Sequence, residues 1–210
     1  MTSPPFREGH VEADGSRIRY VEAGSGPPLV HLPGPGALHP GRAHDLLAAR
    51  SRVVAFEMPE GPRTRMPELA LTMTRAIDAL GLDTFDLLGT SSGATTALGL
   101  ALRSPRRVRA LVLEGPDAVR PSGRDPELEG RLRELSTPTL VLFGTRDAVI
   151  PPAVGHVYKD LIPGSHLVYV YDAGHVISAD RPEAFTEVVV DFLEHHESFV
   201  IRRTPMAMDR

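Results

Sequence analysis

Short apolar runs recur along the chain, and they limit its architecture more than any other feature. They cover Leu29–Leu32, Val53–Phe56, Phe85–Leu88, Val108–Leu113, Thr139–Phe143 and Leu167–Tyr171. Runs this short are strand-sized, and strands apolar at successive positions must be covered on both faces. The intervening segments read as helices. From Pro67 to Leu80 apolar residues fall at helical spacing (Leu69, Met73, Ile77, Leu80), and Gly81 follows as a stop. Ala94–Leu102 is a small-residue helix, and Pro182–His195 is the last one. Strands alternating with helices predict an α/β fold with a mostly parallel central sheet and helices on both faces. The opening differs. Asp14-Gly15, followed by Ile18, Tyr20 and Val21–Ala23, predicts a hairpin, closed by Gly24-Ser25-Gly26-Pro27-Pro28.

A chain of 210 residues is long enough for one substantial core and short for two. The expected division is one domain over 1–197 and a tail over 198–210. A formal charge of -4 gives no electrostatic footprint for nucleic acid or an anionic membrane. With no cysteine, a disulfide framework, a thiolate metal site and a cysteine nucleophile are all excluded. No cofactor and no metal are expected. Neither a signal peptide nor a membrane span is legible, so the expected compartment is the cytoplasm. In the tail, Phe199, Val200 and Ile201 form an apolar cluster backed by Arg202 and Arg203. Two expectations stand for it: a frayed terminus, or a segment that packs on the domain or on a second copy in a homodimer.

The chemistry is concentrated at Gly89-Thr90-Ser91-Ser92-Gly93, which follows the run Phe85–Leu88 and precedes a helix. Glycines at both ends let a serine occupy a sharp strand-to-helix turn, with its hydroxyl raised above the sheet edge. The Ser92 amide then lies at a helix N-terminus, where partial positive charge suits an oxyanion. The bland alternative is a glycine turn with an idle serine. A nucleophilic serine needs a base, and the base needs an orienting acid. Asp147 follows the strand Thr139–Phe143, and His175 follows Leu167–Tyr171, so both sit at the same edge as Ser91. Each has a structural reading too: Asp147 as a cap on the turn at Pro151-Pro152, His175 as a surface histidine. Most of His10, His39, His44, His156, His166, His195 and His196 are expected on the surface.

These strings resemble the α/β-hydrolase family along nearly the whole chain. EAGSGPPLV resembles the approach to the oxyanion loop, and RVVAFEMPEG the next strand with its acidic turn, Glu57 standing where aspartate is usual. LLGTSSG, VLFGTRDAVIPP and DAGHVISADRPEAF resemble the nucleophile, acid and histidine motifs. The resemblance implies Ser91 as nucleophile, Asp147 as acid and His175 as base. Two departures stand out. Where the family carries His-Gly and a backbone donor, this chain has Pro33, Gly34 and Pro35, and proline has no N–H. Either the loop is shifted so that Leu32, Gly34 or Gly36 completes the oxyanion hole with Ser92, or the hole has the Ser92 donor alone; a shifted loop with Gly34 is the favoured choice. Many members also insert a helical cap after the strand that ends here at Glu114. This chain has only PDAVRPSGRDPELEGRLRELSTP, room for one helix near Pro126–Leu135, so the cap is expected to be absent or minimal.

The expected activity is hydrolysis of an ester or thioester through an acyl-enzyme on Ser91. The expected substrate is a small-molecule or carrier-bound acyl group. The same triad could serve an acyltransferase, a C–C bond hydrolase, or a cofactor-free lyase or perhydrolase. From another class, a noncatalytic scaffold would keep the fold without the reaction.

Overall fold

The Asp14-Gly15 dipeptide turns the chain as its residue types require. Both residues take positive φ, 50° and 74°, which matches the twist of a two-residue hairpin joining β1 (Arg7–Ala13) to β2 (Ser16–Ala23). The computed structural model describes residues 5–34, 36–59, 66–119 and 125–199. Each predicted apolar run forms a strand: β3 (Pro28–Leu32), β4 (Arg52–Phe56), β5 (Phe85–Thr90), β6 (Val108–Glu114), β7 (Thr139–Gly144) and β8 (His166–Val170). The eight strands make one sheet in the order β1-β2-β4-β3-β5-β6-β7-β8. Pairing is antiparallel at β1/β2 and β2/β4 and parallel from β4 to β8.

Successive residues on a strand point to opposite faces, so each apolar run feeds two cores. Val30, Val54, Leu87, Leu111 and Val141 pack in one layer. It contains Met73 and Ile77 of α2 (Met66–Ala79), Ala94 and Ala97 of α3 (Ser92–Arg103), and Tyr158 of α5 (Val154–Leu161). Leu29, Val53, Leu88, Val112 and Leu140 point the other way. They meet Leu47 of α1 (Arg42–Ala48), Ile177 of α6 (Ile177–Asp180), and Phe185, Val189 and Phe192 of α7 (Pro182–His195). The fold expected from the sequence is therefore the fold observed. Between β6 and β7, the helix among the described residues is α4 (Pro126–Leu132), so the cap is minimal. Residues 60–61 and 120–124, parts of two quoted strings, lie outside the described residues. Helices α1, α5 and α6 have no counterpart in the sequence analysis. None exceeds eight residues, too few turns for the 3.6-residue period to stand out.

At its end the chain makes a short 3-10 turn over His196–Ser198, and Phe199 is buried. Its ring meets Phe192 edge-on at 5.7 Å and His166 at 5.1 Å, so this residue of the expected tail packs on its own chain. Val200, Ile201, Arg202 and Arg203 lie outside the described residues.

Candidate functional site

Strand order reverses around β3: the chain passes to β4 on one side, then crosses over to β5 on the other. In open α/β sheets a crevice forms outside the carboxyl ends of strands at such a point. Ser91 follows β5 there, at φ 56°, ψ −126°, a conformation that L-residues seldom adopt and that costs of order 1–3 kcal/mol. Its neighbours enforce it. A Cβ on Gly89 would lie 2.5 Å from Ala94 Cα, and one on Gly93 would overlap the carbonyl oxygens of Leu32 and Pro33. Both glycines of GTSSG are thus needed to lay α3 against β5 and the end of β3. Gly93→Ala is expected to lower thermal stability by about 1–3 kcal/mol or more, from overpacking against backbone. Gly34→Ala, whose Cβ would find its nearest atoms at 3.9 Å, is expected to melt close to wild type. Thermal denaturation by circular dichroism checks the pair, and equal melting would contradict the steric argument.

The other two predicted residues converge on Ser91. His175 Nε2 lies 3.0 Å from Ser91 Oγ, and its Nδ1 lies 2.8 Å from Asp147 Oδ2. The Asp147 side chain is fully buried, and that of His175 is 15% exposed. Asp147 Oδ1 also accepts the Val149 and Ile150 amides at 2.8 Å each, so the turn-capping reading of this residue holds alongside the pairing. A buried carboxylate at Nδ1 places the imidazole proton there, which leaves Nε2 as acceptor for the serine hydroxyl. Two glycines make room for the histidine. Gly144 accommodates the Ala173 and Gly174 carbonyls, and Gly115, at φ 52°, lies against the His175 ring. The sequence analysis passed over Gly115. A glycine directly after a strand that ends at the same sheet edge as Ser91 was the available signal.

Of the candidate oxyanion donors, Leu32 is a fully buried member of β3. Gly34 lies against Ser91 and Ser92, since a Cβ on it would be 3.9 Å from both Ser91 Cβ and Ser92 Oγ. Gly36 takes φ 71° in a turn closed by the Ala37 N–H on the Gly34 carbonyl. Pro35 lies outside the described residues. Ser92 opens α3, and first-turn amides of a helix have no intrahelical acceptor. Val149 and Val176, two residues after Asp147 and one after His175, are exposed and leave apolar surface at this edge.

Beneath the site runs a set of buried polar groups that the sequence analysis missed. His31, inside β3, contacts His44 on α1 at 2.9 Å and Thr90 Oγ1 at 3.0 Å. Of the seven histidines expected mostly on the surface, His44 is half-buried against His31, because α1 folds it over the sheet. Thr90 Oγ1 donates to Glu114 Oε2 at 2.6 Å, and Glu114 Oε1 accepts the Ser178 amide at 2.6 Å. Burial pushes the pKa of His31 well down and that of His44 down. It pushes that of Glu114 up, against the hydrogen bonds from Thr90 and Ser178, which favour the carboxylate.

Comparison with known proteins adds the following. Residues 32–129 match the family described as alpha/beta hydrolase fold, and residues 109–198 match one described as TAP-like protein. Among curated relatives, a 2-hydroxy-6-oxo-6-(2'-aminophenyl)hexa-2,4-dienoic acid hydrolase of Metapseudomonas resinovorans is 26% identical over 267 residues, covering 90% of this chain and 91% of that one. A pimeloyl-[acyl-carrier protein] methyl ester esterase of Neisseria meningitidis is 35% identical over 63 residues, 30% of this chain and 24% of its own. Among solved structures, a serine hydrolase involved in carbazole degradation superposes with a TM-score of 0.81 at 22% identity, covering 90% of this chain and 99% of that one. No helix among the described residues is long and apolar enough to cross a membrane.

Proposed function

Since the chain belongs to the α/β-hydrolase fold family, we propose that it is a serine hydrolase that cleaves an ester or thioester through an acyl-enzyme on Ser91. Hydrolase activity is supported by the relatives' names. The observation that carries the finer reading is the continuous contact from Ser91 Oγ through His175 to Asp147, at 3.0 and 2.8 Å. In this reading His175 Nε2 takes the hydroxyl proton as Ser91 Oγ attacks the acyl carbon. The imidazolium, held by Asp147, then protonates the leaving alcohol or thiol, and water attacks the acyl-enzyme with His175 as base again. The oxyanion is held by the Ser92 amide and a loop amide, for which Gly34 is the choice. One such donor is worth about 2.7–4 kcal/mol in the transition state. The minimal cap and the exposed Val149 and Val176 leave room for a bulky or carrier-bound acyl group.

A second reading is favoured by the first relative named above, a hydrolase of a 2-hydroxy-6-oxo-dienoic acid: hydrolytic cleavage of a carbon–carbon bond on the same three residues. That relative aligns over 267 residues against a chain of 210, so it carries segments with no counterpart here. For this reason the ester reading is preferred. Stopped-flow assay with p-nitrophenyl acetate separates the two. The ester reading expects sustained turnover, and where deacylation is slow, a p-nitrophenol burst matching the enzyme concentration. Turnover of a 2-hydroxy-6-oxo-dienoate with no ester turnover would overturn it.

A further inference from the structure

One backbone amide sets the direction of the buried polar chain beneath Ser91. The Gly41 N–H contacts His44 Nδ1 at 3.2 Å, and an amide can only donate. His44 Nδ1 is therefore the acceptor, and a neutral imidazole must then carry its proton on Nε2. That proton points at His31 Nδ1, so His31 in turn carries its proton on Nε2 and donates to Thr90 Oγ1. Thr90 has one hydroxyl proton, and it goes to Glu114 Oε2. Burial, which disfavours the charged form of both rings, agrees with neutral imidazoles throughout. The chain ends on a carboxyl whose second oxygen takes the Ser178 amide, with the Ser178 hydroxyl at 3.2 Å from Oε2.

The places tethered are what give this chain a role. Thr90 directly precedes Ser91. Ser178 lies three residues beyond His175. The Ser91 amide itself donates to the Glu114 backbone carbonyl at 2.9 Å. Glu114 thus grips the serine turn through its carbonyl and through Thr90, and the histidine loop through Ser178. It is also followed by Gly115, on which the His175 ring rests. We propose that Glu114 is a positioning residue, the anchor of a His44–His31–Thr90–Glu114–Ser178 hydrogen-bond chain that sets the separation between Ser91 Oγ and His175 Nε2. Such a network holds its members in one arrangement because each unpaired alternative leaves a buried polar group without a partner. It rests on Ser91 and His175 being nucleophile and base, and needs no particular substrate.

Thr90→Val keeps the shape and removes the hydroxyl that joins His31 to Glu114, whereas Thr90→Ser keeps the hydroxyl. The readout is the pseudo-first-order rate constant for labelling by a fluorophosphonate. Unlike the labelled amplitude, it does not depend on how much of the protein is folded. Thr90→Val is expected to slow labelling about 10- to 100-fold, the scale of a misplaced reacting pair. For a turned-over ester its loss should fall on kcat, with KM little changed. Thr90→Ser is expected to restore the rate. If Thr90→Val yields no folded protein, Glu114→Gln is the second variant. It can keep an acceptor for the Ser178 amide but puts an NH2 where the Thr90 proton goes, and the same slowing is expected. Wild-type labelling rates in the available variant, or a folded Thr90→Ser as slow as Thr90→Val, would overturn the positioning role. Wild-type protein that does not label at all would instead overturn the nucleophile reading beneath it.

Discussion

Ser91→Ala is expected to lose roughly 10⁶-fold in kcat on any substrate the protein turns over, the scale seen when a nucleophile of this type is removed. Its melting temperature should stay close to wild type, because one half-exposed hydroxyl is removed and the Ser91 backbone bonds to Glu114 and Ala94 remain. The companion variant Ser91→Gly separates strain from chemistry. With φ at 56° and ψ at −126°, the position favours glycine, so this variant should be equally inactive yet more stable than Ser91→Ala by about 1 kcal/mol. Steady-state assay with urea denaturation of both variants checks this. An alanine variant with wild-type turnover would remove Ser91 from the chemistry. A glycine variant no more stable than alanine would remove the strain argument alone.

Asp147→Asn is expected to lose about 10⁴-fold in kcat with the fold retained. The local hydrogen bonds explain both halves. Oδ1 accepts the Val149 and Ile150 amides, so an asparagine is pinned with its carbonyl oxygen there and its NH2 toward His175 Nδ1. Nδ1 must then accept, the imidazole proton moves to Nε2, and Ser91 faces a donor where it needs an acceptor. The imidazolium formed during attack also loses its buried counter-charge. Activity within tenfold of wild type, in a variant that melts normally, would contradict the orienting role.

The sheet and its predicted site were legible for a common reason. Ser91, Asp147 and His175 each lie within a few residues of the end of an apolar run, so placing the strands places the residues at one edge. The alternation of Leu29/Val30, Val53/Val54 and Leu87/Leu88 between two cores explains why those strands read as continuous apolar runs. The polar chain was hidden by the same logic. In the sequence His31 reads as part of the apolar run Leu29–Leu32 and Thr90 as part of the glycine turn, so neither stands out as a polar partner. His44 sits on α1, whose seven residues are too few to show a buried face. Glu114 ends a strand, where a charged residue is ordinarily solvated; only the fold reveals that Thr90 and Ser178 close over it. The choice among Leu32, Gly34 and Gly36 was likewise a question of distance, and sequence spacing carries no distance to Ser91.

The most direct test of the account is the site of covalent capture by a fluorophosphonate. Folded wild-type protein is treated with excess probe, digested, and mapped by peptide mass spectrometry, with His175→Ala in parallel. The account predicts one adduct per chain, on Ser91, formed in wild type and strongly slowed in the histidine variant. Folded protein that stays unlabelled, or an adduct on another residue while Ser91 remains free, would contradict it.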